Sequence, residues 1–219
     1  MAESPLAEWL RFYRDIGVDT LTACPPSRNS AGTSLQELHA RIRSCTRCDL
    51  HRSRRLAVPG EGASRPGVMF IGEGPGEQED RTGKPFVGKA GQLLDRLIQR
   101  MGLSRETVFI GNIIKCRPPG NRDPQDDEVR QCLPYLKQQI ALLSPRVIVC
   151  LGRVAVNRLL GGDAPISRLR GRVLDLDGIP VVPTYHPSYI LHQRGREAVS
   201  RAKWDVWEDM QAVIKLLKN

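Results

Sequence analysis

The chain has 219 residues, of which 40% are hydrophobic and 26% are charged, enough for one globular domain with a substantial core and a short accessory segment. No run approaches the ~20 apolar residues of a membrane helix, and the first residues lack the basic-then-apolar pattern of a secretory signal. The composition therefore argues against a membrane or secreted protein, and we expect a cytoplasmic one.

Basic residues outnumber acidic ones, with 33 Lys and Arg against 24 Asp and Glu and a net charge of +9. Arginines crowd residues 41–55 and recur at 168–172 and 194–196. Such clusters are typical of proteins that bind polyanions, because each neutralised phosphate releases counterions. A solvated, arginine-rich surface explains the clusters equally well. Charge therefore suggests nucleic acid as a partner without establishing it.

Residues 5–17 carry apolar side chains at helical spacing, which predicts a helix. These side chains are Leu6, Trp9, Leu10, Tyr13 and Ile16. Residues 24–34 are rich in Pro, Ser, Gly and Asn and are predicted to form a linker. The sequence thus predicts an N-terminal helix and linker over residues 1–34 and the main domain over residues 35–219.

Within this domain, apolar runs alternate with helical patterns. Three runs have the length and β-branched content of buried parallel strands, namely residues 68–71, 108–114 and 147–151. Helical spacing predicts helices over residues 90–101, 129–140 and 154–160. The alternation predicts an α/β fold with a mainly parallel sheet covered on both faces. In such a fold, ligands bind at the carboxyl ends of the strands.

Two glycine-rich segments follow the first of these strands. Residues 72–76 read GEGPG, and glycines let backbone N–H groups approach a ligand closely. Their spacing and the proline argue against a dinucleotide-binding fingerprint. Residues 83–90 match a P-loop until the last position, where Ala90 lacks the hydroxyl that binds magnesium. We therefore expect no nucleotide cofactor.

The chain contains six cysteines, and in the cytosol these are expected to be metal ligands or core residues because disulfides are disfavoured there. Cys45 and Cys48 form a CxxC turn, Cys116 follows a predicted strand, and Cys132 lies in a predicted helix. Four thiolates of this kind suit either zinc or iron-sulfur, and the spacing does not choose between the two. Cys150 lies inside a buried-strand pattern and is predicted to be a core residue.

Four ordered motifs accompany these cysteines: GEGPGE at residues 72–77, GKPFVGKAG at 83–91, GNIIKCRPP at 111–119 and HPS at 186–188. From about Leu38 onward they resemble the family 4 uracil-DNA glycosylases, the iron-sulfur branch of the uracil-DNA glycosylase superfamily. The resemblance implies a three-layer αβα sandwich and a DNA repair enzyme that hydrolyses the N-glycosidic bond of deoxyuridine, leaving free uracil and an abasic site. It also implies a [4Fe-4S] cluster on Cys45, Cys48, Cys116 and Cys132.

The same resemblance implies roles for residues of one base-binding pocket. Phe86 matches the aromatic residue that stacks on the extruded base. Asn112 matches the residue that reads the Watson–Crick edge, where an amide donates to uracil O4 and accepts from N3–H. His186 matches a histidine whose neutral imidazole donates to uracil O2 as the glycosidic bond breaks.

Acidic residues complete the expected pocket. Glu73 and the backbone of Gly74 are expected to line it, and Glu79 is expected to crowd the C5 position and so exclude the methyl group of thymine. Which of Glu73, Glu77 and Asp80 orients the attacking water stays open at this point.

The segment after the histidine resembles the loop that pushes an apolar wedge into the duplex when the base leaves. Ile190 or Leu191 is the expected wedge, and its insertion offsets part of the cost of unstacking. We expect uracil-containing DNA as the partner, association with the nucleoid through DNA, and a monomer.

Two alternatives stay open. A sister branch carries the same cluster but traps the abasic sugar covalently through a histidine in a KRRIH-like loop. Here the corresponding residues 118–124 read PPGNRDP, which favours turnover. A non-catalytic iron-sulfur module for DNA binding or electron transfer would need the cysteines and arginines, but not Phe86, Asn112 and His186 together.

Overall fold

The computed structural model describes residues 34–218, which contain a six-stranded sheet with helices packed against it. The strands are β1 (Glu61–Gly62), β2 (Val68–Gly72), β3 (Phe109–Asn112), β4 (Val147–Leu151), β5 (Leu174–Leu176) and β6 (Ile179–Thr184). Their order across the sheet is β1-β3-β2-β4-β6-β5. The inner strands are parallel to one another, and β1 and β5 pair antiparallel at the two edges. The sheet is therefore mainly parallel, as predicted.

Helices connect the parallel strands, because two parallel neighbours cannot be joined by a tight hairpin. The α-helices are α1 (Leu35–Arg43), α2 (Leu50–Ser53), α3 (Glu77–Thr82), α4 (Lys89–Arg100), α5 (Asp126–Leu143), α6 (Arg153–Leu160), α7 (Ile166–Leu169), α8 (Pro187–His192) and α9 (Arg196–Lys218). A 3-10 turn forms at Pro119–Asn121. The helices predicted over residues 90–101, 129–140 and 154–160 correspond to α4, α5 and α6.

Side chains of the central strands alternate between the two faces of the sheet. On one face, Met69 and Ile71 of β2 pack with residues of α1, α5 and α6. On the other, Val68 and Phe70 pack with residues of α4 and α9. All four side chains are at most 1% exposed. Because helices cover both faces, the fold is the predicted three-layer αβα sandwich.

The first described helix, α1, has a defined start. Ser34 accepts a hydrogen bond from the N–H of Glu37, and the Glu37 carboxylate accepts one from the N–H of Ser34, which together form a capping box. The helix predicted over residues 5–17 and the linker after it lie outside the described residues. Among residues 34–218, none of the helices combines the length and the apolar character needed to span a bilayer.

Strand β3 is shorter than the predicted run of residues 108–114, since it ends at Asn112. Beyond that point, the N–H groups of Ile113 and Ile114 donate to the carbonyls of Gly72 (2.9 Å) and Glu73 (3.1 Å). The chain after β3 therefore folds onto the glycine-rich loop that follows β2. This turn places Asn112 beside that loop at the carboxyl edge of the sheet.

Candidate active site

A pocket opens at the carboxyl edge of the sheet, where β2, β3, β4 and β6 end. Ligands of open parallel sheets bind at this edge. All six residues predicted for the base-binding site line it: Glu73, Gly74, Glu79, Phe86, Asn112 and His186. The fold thus brings together side chains that lie in separate motifs of the sequence.

Asn112 is the last residue of β3 and is 1% exposed. Its Oδ1 accepts no hydrogen bond from any residue that the structure describes. Leaving a buried acceptor unpaired costs about 1–3 kcal/mol, so such an atom in a pocket wall suits a ligand that brings its own donor. Gly72 is required beside it, because a Cβ there would lie 2.5 Å from Oδ1 and 2.6 Å from Phe86 Cζ.

Phe86 lies between α3 and α4 in the left-handed region of the backbone map, with a φ of 52°. This conformation is uncommon for a bulky residue. Phe86 is 6% exposed, and its ring centroid lies 5.7 Å from that of His186, with the two planes tilted by 38°. The aromatic ring and the imidazole therefore form adjoining parts of the pocket lining.

Glu79 of α3 contacts the backbone just after Phe86. Its Oε1 accepts hydrogen bonds from the N–H groups of Val87 (2.8 Å) and Gly88 (2.9 Å). The carboxylate therefore fixes the conformation of this loop as well as lining the pocket. Its expected contact with the C5 position of the base stays a prediction.

His186 precedes α8 and caps it. Its Nδ1 accepts a hydrogen bond from the N–H of Ser188 at 3.2 Å and lies 2.7 Å from Ser188 Oγ. A ring nitrogen that accepts from a backbone N–H carries no proton, so the neutral ring holds its proton on Nε2. Burial lowers the pKa of His186 to about 4, against a smaller opposing effect of Glu79. The imidazole is therefore a neutral hydrogen-bond donor near pH 7.

Glu73 follows β2 directly and has an unusual pKa. Burial raises this pKa to about 7; the charge of Asp123 raises it further, and the charge of Arg153 opposes the shift. Both Asp123 and Arg153 line the same pocket. Glu73 can therefore exchange a proton close to neutral pH, which suits a general base that accepts a proton from water.

The other two acids considered for the water lie elsewhere. Glu77 is exposed and forms an ion pair with Arg81 at 3.4 Å. Asp80 is 3% exposed, and its Oδ1 accepts a hydrogen bond from the backbone N–H of Arg55. Neither of them lines the pocket. Of the three candidates, the fold brings only Glu73 to the site.

Several polar residues of the pocket were not predicted from the sequence: Asn121, Arg122, Asp123, Arg153 and His192. Arg153 lies two residues after the end of β4, so the rule that ligands bind at strand ends was a sufficient signal to find it. Asn121, Arg122 and Asp123 belong to an irregular loop without any periodic pattern. His192 is the last residue of α8 and lies outside the HPS motif.

The predicted wedge residues lie in α8, immediately after His186. Leu191 is 46% exposed, whereas Ile190 is partly buried. Tyr189 is also exposed and stacks on Tyr185 with ring centroids 4.3 Å apart. Leu191 is therefore the member of the predicted pair that is free to contact a partner.

A second pocket contains the four cysteines predicted to hold a metal group. Cys45 and Cys48 follow α1, Cys116 follows β3, and Cys132 lies in α5. All four are free thiols. Cys150 is fully buried in β4 and does not line this pocket. The fold therefore gathers the predicted ligand set and leaves the predicted core cysteine apart from it.

Two of these sulfurs each accept a hydrogen bond. Arg54 Nη1 donates to Cys116 Sγ at 2.8 Å, and the N–H of Lys115 donates to Cys132 Sγ at 3.2 Å. Burial raises the pKa of Cys132 to about 12 and also raises that of Cys116. Buried thiols become thiolates when a bound cation compensates their charge, so this environment suits metal ligands.

Two kinds of metal group take four thiolates, a zinc ion and an iron-sulfur cluster. Within residues 34–218, no three His, Cys, Asp or Glu side chains are grouped closely enough to hold one metal ion. Zinc would need all four sulfurs at about 2.3 Å from a single point. A larger metal-sulfur group accepts thiolates that are further apart. Four thiols that line one pocket therefore suit a thiolate-bound metal group.

The fold and its two sites define an α/β sandwich with a polar pocket at the carboxyl edge of its sheet and a separate four-thiol pocket. The family model of the uracil DNA glycosylase superfamily matches residues 59–211. A type-4 uracil-DNA glycosylase of Pyrobaculum aerophilum is 46% identical over 168 residues, which cover 73% of this chain and 85% of that protein.

Two further type-4 uracil-DNA glycosylases are similar to this chain. The one of Thermotoga maritima is 46% identical over 159 residues, covering 72% of this chain and 83% of that protein. The one of Saccharolobus solfataricus is 49% identical over 160 residues, covering 69% and 74%. The chain therefore belongs to the uracil-DNA glycosylase superfamily and, within it, to the type-4 enzymes, which confirms the resemblance.

Proposed function

We propose that this protein is a DNA repair glycosylase that flips uracil out of DNA and hydrolyses its N-glycosidic bond, and that residues 35–219 form its catalytic domain. The observation that carries the proposal is the buried amide of Asn112, whose oxygen has no partner among the described residues, in one pocket with Phe86 and His186. Because its substrate is DNA, we expect it to act at the nucleoid in the cytoplasm.

Recognition of the base follows from these three side chains. The Phe86 ring offers a flat apolar surface on which a flipped base stacks. The Asn112 amide accepts from uracil N3–H through its unpaired oxygen and donates to O4 through its nitrogen. Cytosine presents the reverse pattern of donors and acceptors, and would leave buried groups of Asn112 unpaired.

The reaction breaks the bond between C1′ of the sugar and N1 of uracil. The bonding electron pair leaves with uracil, and the Nε2–H of His186 donates a hydrogen bond to O2, where negative charge develops. Glu73, as a carboxylate, orients a water molecule. The oxygen of this water bonds to C1′, and Glu73 takes up the proton that the water loses. The uracil anion then takes up a proton and Glu73 releases the one it accepted, so free uracil and an abasic site are the products.

DNA is the partner, and we propose that Leu191 is the wedge that enters the duplex. Its exposed side chain follows His186 by five positions, on the helix that begins beside the pocket. Insertion of an apolar side chain between base steps helps to offset an unstacking cost of a few kcal/mol. Ile190 packs partly into the protein and is the weaker candidate.

We propose that Cys45, Cys48, Cys116 and Cys132 hold a [4Fe-4S] cluster, which takes four thiolates. The pocket that these four thiols share, the donors to Cys116 and Cys132, and the type-4 relatives support this proposal. When bound, the cluster supplies a cross-link among the segment after α1, the loop after β3, and α5. The catalytic residues themselves lie in the other pocket.

The test is release of uracil from a single-uracil oligonucleotide, read as strand scission after alkali cleaves the abasic sites. We expect scission by the wild type and a fall of on the order of 100-fold or more in Asn112→Ala and His186→Ala. Asn157→Ala is the matched control, since it loses a hydrogen bond to the carbonyl of Ala164 outside the pocket. It should cleave like the wild type.

Other outcomes of this assay would overturn parts of the proposal. Equal scission by the wild type, Asn112→Ala and His186→Ala would remove both residues from the mechanism. A protein-DNA adduct that survives denaturation would replace turnover by covalent trapping. Tight DNA binding by the iron-loaded protein without any scission would favour a non-catalytic module.

A further inference from the structure

We propose that Arg105 is a positioning residue that holds Phe86 in its pocket-lining conformation. The relevance of this conformation to catalysis rests on the function proposed above, in which Phe86 stacks on the flipped base. Arg105 lies in the turn between α4 and β3 and does not line the pocket. Its guanidinium contacts the loop between α3 and α4, which carries Phe86, from the side away from the pocket.

The guanidinium of Arg105 binds two successive carbonyl groups of the loop. Nη1 donates to the carbonyl of Pro85 at 3.1 Å, and Nη2 donates to the carbonyl of Phe86. The planar guanidinium presents its N–H groups in a rigid fork, so two neighbouring acceptors fix the direction of both carbonyls at once. A lysine ammonium is a single point charge and cannot reproduce this geometry.

Phe86 needs such a restraint because its backbone has a φ of 52°. A phenylalanine does not adopt the left-handed region without surrounding contacts that enforce it. On the following residues, the carboxylate of Glu79 accepts from the N–H groups of Val87 and Gly88. Arg105 therefore binds the carbonyl groups of Pro85 and Phe86, and Glu79 binds the N–H groups of the next two residues.

Gly91 of α4 allows the backbone carbonyl of Phe86 to pack closely against this helix. A Cβ at this position would lie 1.8 Å from the carbonyl oxygen of Phe86, so only glycine allows the helix to approach the carbonyl that Arg105 binds. The carbonyl is thus enclosed between a helix and a guanidinium. Its direction, and with it the direction of the Phe86 side chain, is set from both sides.

Arg105 is itself held in place. Its Nε donates to Asp95 Oδ1 at 2.6 Å, and its Nη1 lies 3.5 Å from Glu61 Oε1. The side chain is 22% exposed. Asp95 belongs to α4 and Glu61 to β1, so the guanidinium links two elements of the fold to the loop. A partly buried arginine with carboxylates on one side and two carbonyls on the other has little freedom to move.

The test is ¹⁹F NMR of labelled phenylalanines, which are few enough to be resolved one by one. The chain contains four, namely Phe12, Phe70, Phe86 and Phe109, so the full-length iron-loaded protein labelled with 4-fluorophenylalanine should give four ¹⁹F resonances. Phe86→Leu assigns the resonance of Phe86. In Arg105→Met, we expect this resonance to shift or broaden while those of Phe70 and Phe109 in the sheet stay in place. Arg105→Lys should show the same selective change.

A matched control is Arg100→Met, which removes an arginine from the end of the same α4 helix. Arg100 Cζ lies 4.2 Å from the centroid of the Trp207 ring in α9, so its loss should leave the Phe86 resonance unchanged. Single-turnover release of uracil should fall on the order of tenfold to a hundredfold in Arg105→Met, as expected when a binding group is displaced by about 1 Å, and should stay at the wild-type rate in Arg100→Met.

An unchanged Phe86 resonance in both Arg105→Met and Arg105→Lys would overturn the inference. So would a shift of all the resonances together in Arg105→Lys, since that reports a general loss of structure. Failure of the proposed function is a separate result: uracil release by Phe86→Leu at the wild-type rate would remove Phe86 from the reaction, whereas the ¹⁹F comparison reports its conformation whatever the activity.

Discussion

The side-chain ammonium of Lys115 donates a hydrogen bond to the backbone carbonyl of Asn112 at 2.8 Å. Lys115 is 1% exposed, and its second partner is a neutral amide, Gln139 Oε1 at 2.7 Å. The N–H of Lys115 also donates to Cys132 Sγ. A buried cation is costly unless its environment compensates it. Lys115 therefore connects the residue proposed to read the base with the four-thiol pocket.

Lys115→Met is predicted to weaken both the fold and the reaction. The variant keeps an unbranched side chain but leaves two buried acceptors without a donor, which costs about 1–3 kcal/mol for each unpaired group. Displacement of Asn112 should lower single-turnover uracil release by about tenfold. Denaturant unfolding and the oligonucleotide assay measure the two effects.

The control for this change is Lys137→Met, on the exposed side of the helix that carries Gln139. It alters the net charge equally and touches neither pocket. Unfolding and uracil release should match the wild type. If Lys115→Met released uracil at the wild-type rate, the link between this lysine and Asn112 would have no functional meaning.

Uracil release should increase with pH through about 7, the pKa to which burial raises Glu73. Only the carboxylate form can accept a proton from water, so the rate follows its ionised fraction. His186 does not titrate in this range, since its pKa is about 4. Glu73→Gln should lose this pH dependence and on the order of 100-fold in rate. A profile that keeps the same inflection in Glu73→Gln would assign it to another group.

The same pKa shift has a consequence for stability. The folded-state pKa of Glu73 is about 7, above its usual 4.5, so the folded state binds the proton more tightly than the unfolded state. The contribution of Glu73 to stability is complete below pH 4.5 and is lost as the pH rises to about 7. Glu73→Gln should therefore raise the Tm more at pH 8 than at pH 5. An equal change at both values would contradict the assignment.

Cysteine replacements distinguish ligands from core residues. Cys132→Ala should lose most of the iron and the brown colour of the purified protein, because a four-thiolate group loses one of its ligands. Cys150→Ala is the matched control, since this buried cysteine lies in β4 away from the four-thiol pocket. Iron per chain and visible absorption measure the result. Full iron content in Cys132→Ala, or loss of iron in Cys150→Ala, would contradict the proposed ligand set.

The sequence predicts the parts of the fold that have a regular pattern. The runs at residues 68–71 and 147–151 became β2 and β4 because all their side chains are buried and apolar. Strand β6 carries His186 two positions after its end but was not predicted. Its sequence contains Pro180 and Pro183, and proline argues against an inner strand. Pairing with β4 on one side and β5 on the other overrides this local signal.

The site was predictable wherever a motif surrounds the residue. Asn112, Phe86 and His186 were predicted in this way, and they line one pocket. The residues that position these side chains were not predicted, because the contacts they make join positions that are distant in the sequence and follow no pattern. Arg105 binds a loop 19 residues before it, and Lys115 bonds to Gln139, which is 24 residues after it. Only the folded chain shows these relationships.

Leu191→Ala should affect duplex DNA more than single strands. The 46% exposed side chain is proposed to fill the space that the flipped base leaves in the stack, and a single strand has no opposing strand to hold that base in place. We expect about a tenfold lower rate on a U·A duplex, since unstacking costs a few kcal/mol, and a change of less than about twofold on the single strand.

Leu142→Ala is the matched control for the wedge, because Leu142 is 41% exposed at the end of α5 and does not line the pocket. It removes the same amount of apolar side chain and should leave both rates unchanged. Fluorescence of 2-aminopurine opposite the uracil adds a direct readout, since this base brightens when its stacking is disturbed. If Leu191→Ala slowed release equally from both substrates, the side chain would act within the pocket rather than in the duplex, and Ile190 would become the residue to test.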